Sequence, residues 1–218
     1  MANKTTEDYL KTIFWLSRLS VKVNTSAIAG GLKISSASVT DMLKRLSENG
    51  YITYTPYYGV RLTKKGDKLA LKVIRRHRLL ELFLVEALEY TWDNVHEEAE
   101  RLEHVVSDEL EARIDSYLGN PRYDPHGDPI PSNEGVMEEL AYCKLSELNK
   151  GEQAIVSQVI DSKQLLRYMK KLNLALQSRV AVKEKESFDG SMKVKIDGKE
   201  EHFLSRDVTK QIFVKKIK

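Results

Sequence analysis

The run Leu79-Leu80-Glu81-Leu82-Phe83-Leu84-Val85 constrains this chain more than any other segment. It lies in the second half of a stretch that reads as one long helix from about Lys64 to Leu88. A helix that is apolar nearly all round must be buried on several sides. The domain around it is small, so a second copy of the chain is the expected cover, and the chain is expected to be a homodimer.

The 218 residues allow one large domain or two to three small ones. With 41% hydrophobic and 31% charged residues, the composition is globular and not disordered. No stretch reaches the ~20 apolar residues of a membrane helix. The opening MANKTTEDYL has no apolar h-region, so secretion is not expected and a cytoplasmic protein is. Cys143 is the single cysteine, which excludes internal disulfides and multi-cysteine zinc or iron–sulfur sites. We read it as structural.

The net charge of +3 hides a segregation. Residues 1–71 carry 11 Lys+Arg against 5 Asp+Glu, residues 72–140 carry 7 against 17, and residues 141–218 carry 17 against 10. A basic first third suits an anionic partner such as DNA. An acidic middle third suits metal cations or is a plain solvated surface.

Thr5 and Thr6 precede an apolar-periodic run, Leu10, Ile13, Phe14 and Leu16, which predicts a capped helix to about Leu19. Residues 25–32 predict a short helix, residues 33–35 a turn, and Ser36 the cap of a helix ended by Asn49-Gly50. Residues 51–55 and 60–63 predict a hairpin around Pro56-Tyr57-Tyr58-Gly59. A further helix is expected from about Trp92 to Leu118, with Val95, Ala99, Leu102, Val106 and Leu110 as its core stripe. Residues 119–135 hold four of the five prolines and read as a loop and domain boundary. Strands are expected at 154–160, 180–185, 192–196 and 211–215, with a helix at 165–172 and turns at Asp189-Gly190 and Asp197-Gly198. A small barrel of ~75 residues fits this pattern. The fold class is mainly α with small β, in three domains: 1–71, 72–140 and 141–218.

Two short helices around a tight turn, followed by a hairpin, make a winged helix-turn-helix. Ala29, Leu32, Ile34, Val39 and Met42 have the spacing of its buried positions. The second helix opens with Ser35, Ser36, Ser38 and Thr40, short hydroxyls suited to phosphates and base edges. Lys44, Arg45, Arg61, Lys64 and Lys65 lie on or near that face and suit phosphate neutralisation. The alternative is a helix pair used only for packing or protein contact. Lys33, where many such motifs carry Gly, and the pair Gly30-Gly31 depart from the pattern. Tyr54, Tyr57 and Tyr58 suit either backbone contact with DNA or packing on the hairpin.

Glu100, Glu103 and His104 form E-x-x-E-H within an arc of about 100° on the predicted helix, beside its apolar stripe. His96 lies in the same arc, and His77 and Glu81 are four apart on the long helix. Asp8 sits in the first turn of the first helix, and Asp124-Pro125-His126 in the proline-rich loop. Singly, each of these fits a solvated face. Together they are hard O and N donors without thiolate, which suits Mn(II), Fe(II) or Zn(II) and leans to Mn(II). Such ligands also hold catalytic metals. No H-E-x-x-H, nucleophile elbow or phosphate loop accompanies them, which disfavours an enzyme.

The segments TTEDYLKTIFWL, RRHRLLELFLVEAL, VHEEAERLEHVVSDELEARI and NPRYDPHGDPIP resemble the diphtheria-toxin-repressor family, within its manganese-dependent transport-regulator branch of streptococci and staphylococci. The last ~75 residues resemble its SH3-like (FeoA-type) domain. The resemblance covers nearly the whole chain. It implies a cytoplasmic, homodimeric, metal-activated repressor of metal-uptake genes on a palindromic DNA operator, often bound as two dimers. It implies one metal set at Glu81, Asp124, His126 and Asp161 and a second at Asp8, Glu100, Glu103 and His104. His77 and His96 match positions used in some branches. Asp124 stands where the branch has Cys, a departure that leaves the affinity and selectivity of that site open. Oxygen donors at Asp8 and Glu100 replace the Met and Cys of the iron-sensing branch, which again favours Mn(II). Lys11 stands where the bacillus-type regulator has a Glu ligand, which argues against a two-metal cluster there. The rival readings are a winged-helix regulator indifferent to metal, and a metal buffer or enzyme.

Overall fold

Asn3, and not Thr5 or Thr6, opens the first helix: its Oδ1 accepts from the Thr6 amide at 3.0 Å. That helix, α1, spans Lys4–Leu19. The computed structural model describes residues 3–19, 22–55 and 58–217. Asn24 caps α2 (Thr25–Leu32) and Ser35, one residue before the expected Ser36, caps α3 (Ser36–Glu48). Lys33, between them, takes the left-handed conformation at φ 55°. A glycine would take it more readily, and a side chain there costs on the order of 1–2 kcal/mol. At Gly31 a Cβ would stand 2.8 Å from Thr12 Cγ2, so its bare backbone lets α2 approach α1 closely.

Strands β1 (Ile52–Thr55) and β2 (Gly59–Leu62) pair antiparallel, Ile52 opposite Leu62 and Thr55 opposite Gly59. Leu10, Ile13, Ile28, Val39, Leu43, Leu46, Ile52 and Val60 form the core beneath this hairpin. Ala29 and Val39 are buried and Leu32 and Met42 half-buried, but Ile34, expected among them, is 42% exposed. It lies in the turn that follows left-handed Lys33, outside both helical stripes.

Helix α4 spans Lys64–Leu88 as predicted. Residues 73–82 are buried throughout, so much of the cover assigned to a second copy comes from the chain itself. Phe83 and Val85 remain half-buried, and Leu88 is 55% exposed.

The helix expected from Trp92 to Leu118 is two helices, α5 (His96–Leu102) and α6 (Asp108–Tyr117). Ser107 restarts the chain: its Oγ accepts from the Leu110 amide at 3.1 Å. A hydroxyl cap of this kind competes with helix continuation. Val95, Ala99 and Val106 keep their core places, whereas Leu110 is 47% exposed. Glu103 and His104 therefore follow α5 in a turn and do not ride on a helix face.

The remaining strands form one antiparallel sheet, and two were not foreseen. They are β3 (Cys143–Lys144), β4 (Gln153–Val159), β5 (Arg179–Lys185), β6 (Met192–Ile196), β7 (Glu201–Leu204) and β8 (Ile212–Ile217), with α7 at Lys163–Lys171 and α8 at Arg206–Thr209. The order is β3-β8-β4-β5-β6-β7, with bulges at Val156/Gln158 and Val182/Glu184. Beneath it lie Val156, Leu166, Met169, Val180, Val194 and Val214. Cys143 is half-buried against this core.

The chain forms two compact units. One comprises Met1–Leu80, Glu100–Ile114 and Ile130–Met137, the other Glu81–Ala99, Asp115–Pro129 and Glu138–Lys218.

Candidate metal centres

In the first unit, the turn after α5 presents His104 to α1. His104 Nδ1 lies 2.7 Å from Glu7 Oε2, so the ring donates there. With Nδ1 turned to Glu7, Nε2 is the ring nitrogen that faces the other carboxylates. It lies 2.9 Å from Asp8 Oδ1 and 3.2 Å from Glu103 Oε1, yet is buried without a hydrogen bond. A nitrogen set among carboxylates calls for a positive charge there, which a ring proton or a bound metal ion supplies. Asp8, Glu103 and His104 offer three such atoms within 4.8 Å of one another. The donor set fits a divalent ion of the Mn(II), Fe(II) or Zn(II) class.

Glu103, whose side chain is fully buried, is the hub of this centre. His77 Nδ1 lies 2.6 Å from its Oε2, and Lys11 Nζ donates to its Oε1 at 2.5 Å. Burial is the largest effect and raises its pKa. His77 and Lys11 together outweigh burial and hold the carboxyl below its ordinary range. His77 is thus a buried partner of Glu103, although its neighbouring arginines allowed an exposed ring. Glu100 is not brought in: its side chain is 52% exposed, with Oε1 3.9 Å from Lys11 Nζ.

Glu7 was missed. An acidic residue in a first turn reads as a dipole partner, but Glu7 precedes Leu10 by three and is only 7% exposed. Its place in the apolar stripe was the available signal.

In the second unit, Glu81 on α4 meets the loop that carries Asp124 and His126. These three offer atoms within 4.8 Å and are all buried. Asp124 Oδ1 accepts from the amides of His126 at 2.8 Å and Asp128 at 3.0 Å, which folds the loop back on itself. His126 Nε2 donates to the Trp92 carbonyl at 2.8 Å, which leaves Nδ1 facing Glu81 Oε2 at 3.8 Å. Such a second partner fixes which nitrogen is available to a metal. His96 Nδ1 lies 3.2 Å from Glu81 Oε1 and 2.6 Å from Asp161 Oδ2, so both His96 and Asp161 join this centre. Burial, the largest effect, favours a neutral His126, but Glu81, Asp124 and Asp161 overbalance it and raise its pKa. The loop reaches β4 because residue 127 is glycine: at φ 84°, a Cβ there would stand 2.1 Å from Ser157 O.

The residues assigned to DNA lie on the surface of the first unit. Ser35, Ser36, Ser38, Lys44, Arg45, Arg61 and Lys64 are exposed, and Thr40 is half-buried with Oγ1 donating to Ser36 O at 3.1 Å. Ser35 Oγ is engaged with Ser38 at 2.9 Å, and Lys65 with Asn49 O at 2.9 Å. Tyr54 packs on the hairpin core, Tyr58 is 81% exposed, and Tyr57 lies outside the described residues.

Residues 1–60 match the iron dependent repressor N-terminal DNA binding domain, and residues 63–132 its metal binding and dimerisation domain. Residues 143–216 match the FeoA domain. The iron-dependent repressor IdeR of Mycobacterium tuberculosis is 31% identical over 226 residues, covering 98% of this chain and 97% of that one. The diphtheria toxin repressor of Corynebacterium glutamicum is 34% identical over 151 residues, 69% of this chain and 64% of that one. A manganese-dependent transcriptional repressor solved with manganese superposes with a TM-score of 0.90 at 38% identity, covering 97% of this chain and 100% of that one. The manganese regulator SloR gives 0.77 at 36%, with full coverage of both chains. ScaR with bound Zn2+ gives 0.81 at 34%, covering 97% and 99%. With a winged helix, two carboxylate–histidine clusters and a C-terminal FeoA domain in one chain, this protein belongs to the iron-dependent (diphtheria toxin) repressor family of metal-dependent DNA-binding proteins.

Proposed function

We propose that this chain is a Mn(II)-activated transcriptional repressor of metal-uptake genes, a homodimer that binds a palindromic operator as one or two dimers. It acts as a regulator and not as an enzyme. Residues 1–71 read DNA, residues 72–140 bind metal and dimerise, and residues 141–218 form the FeoA-type domain. The observation that carries this reading is the convergence of Asp8, Glu103 and the buried Nε2 of His104, whose donor atoms lie within 4.8 Å of one another. Mn(II) is favoured over Fe(II) and Zn(II) because both centres are built from oxygen and imidazole. Manganese-dependent repressors with this fold support the same choice.

Asp8 belongs to α1 of the winged-helix core, whereas Glu103 and His104 follow α5. A bound ion supplies the divalent charge that lets their donor atoms share one shell. Glu7 keeps His104 in the tautomer that presents Nε2. By holding α1 to the turn after α5, Asp8 and His104 narrow the arrangements open to the recognition helix α3. DNA then takes an arrangement that is already populated. Glu100 stays in this set on resemblance alone. Glu81, Asp124, His126 and Asp161, with His96, form the second set and tie the 124–128 loop to the C-terminal domain.

The test is selection of fragmented genomic DNA from the protein's own source, with Mn(II) and with chelator. A palindromic site retained only with Mn(II) supports the reading. The same site retained in both conditions makes the metal structural. No enriched site points to a buffer or an enzyme.

A further inference from the structure

The outer face of the C-terminal sheet concentrates positive charge that the metal centres and the winged helix do not use. Strand register places Lys215 on β8 and Arg179 on β5 either side of Ile155 on β4. In the next row Lys195 on β6 lies opposite Ala181, which lies opposite Gln153. Lys193 and Lys183 extend the same face. Glu184 and Glu201 lie on the strands among these five cations, and Glu152 and Asp197 lie beside Arg179 at the edge. Among the described residues Lys193 is the one of the five in an ion pair, to Glu201 at 2.9 Å. The ammonium groups of Lys183, Lys195 and Lys215 make no side-chain hydrogen bond and no ion pair within 4.0 Å among the described residues, although Lys195 lies opposite Glu201 in the strand register. Lys185 differs, since its Nζ is committed to the carbonyls of Ser146 and Leu148.

The crowding has an electrostatic signature. The carboxyl of Glu201 is held below its ordinary range by its hydrogen bond to Lys193 and by the charges of Lys193, Lys183 and Lys195. Lys193 is bonded to this carboxylate, and Lys195 lies opposite it in the strand register. The centre of the face, Ile155, Ala181 and Gln153, is uncharged. At its rim Phe203 is 62% exposed, with Lys193 Nζ 5.7 Å from the ring centre.

We propose that this face is a second, sequence-independent contact of the protein with the phosphate backbone of duplex DNA. The proposal rests on the DNA-binding function of the winged helix. From Lys215 to Lys195 the face spans three inter-strand steps, about 14 Å at roughly 4.8 Å each. A DNA strand presents a phosphate about every 3.4 Å along its axis, so the lysines reach several. Phosphate contacts add affinity and salt dependence without reading sequence.

The test uses the full chain with Mn(II) and a random-sequence duplex, with affinity followed against salt. In Lys183→Gln/Lys195→Gln/Lys215→Gln the slope of log affinity on log salt falls by about 2 to 3, since each phosphate contact contributes about 0.9. Mn(II) affinity and the thermal midpoint stay at the wild-type values, which separates the effect from misfolding. A slope equal to wild type overturns the proposal. Equal weakening of the triple variant on polyglutamate would assign the face to polyanions in general and overturn DNA as its partner. No duplex binding by the wild type would overturn both this face and the DNA-binding function.

Discussion

Glu7 holds His104 from behind: its carboxylate accepts from Nδ1 at 2.7 Å and leaves Nε2 turned toward Asp8 and Glu103. Glu7 is not among the atoms that converge on Nε2, yet it decides which nitrogen faces them. Glu7→Gln is therefore expected to weaken Mn(II) binding at this centre by about 10- to 100-fold, the usual effect of removing such a partner. Titration of metal against the variant checks it. Unchanged affinity would mean that His104 is oriented by packing alone.

Asp8→Ala is expected to lose most of the Mn(II)-stimulated gain in DNA affinity while the dimer survives, because Asp8 is the only member of this cluster on α1. DNA affinity with and without Mn(II), beside the oligomeric mass, reads both effects. An intact metal response would sink the idea that the centre acts by holding α1.

The second centre predicts a proton linkage. His126 is more basic in the fold than its ordinary 6.5, because Glu81, Asp124 and Asp161 outweigh the opposing effect of burial. A raised pKa stabilises the metal-free fold below the unfolded value, and that contribution is lost as pH rises through the folded value. Metal takes the place of this proton, so binding should release protons and weaken as pH falls through the raised value. Calorimetry in buffers of different ionisation enthalpy measures the release. Affinity independent of pH between about 6 and 8 would contradict it.

Gly127→Ala should detach the 124–128 loop from β4, since its Cβ would stand 2.1 Å from Ser157 O at a φ of 84°. Strained backbone of this kind costs on the order of 1–3 kcal/mol before the clash is relieved. The expected readouts are a lower thermal midpoint and weaker metal binding at the Glu81 centre, with DNA-facing residues untouched. Wild-type behaviour in both would show that the loop does not need its close seat on β4.

Much of this was legible in the chain itself. The 3.6-residue periodicity marked α1, α3 and α4, and the apolar run on α4 announced its burial. The convergence of Asp8, Glu103 and His104 followed from a spacing and a resemblance. What failed was local punctuation. The first helix ends at Leu102 and Ser107 begins the next, which apolar spacing alone does not register. Short strands such as β3 and β7 have too few residues to show a period and exist because neighbouring strands pair with them. Glu7 and the Trp92 carbonyl act through contacts made 97 and 34 residues away, which no local pattern encodes.

The most direct test of the account compares wild type with His104→Ala on one set of Mn(II)-selected DNA fragments, with Mn(II) and with chelator. The account predicts that Mn(II) tightens wild-type binding by at least about tenfold, a coupling of roughly 1.4 kcal/mol, and leaves the variant near its chelated value. An equal metal-stimulated gain in the variant would contradict it.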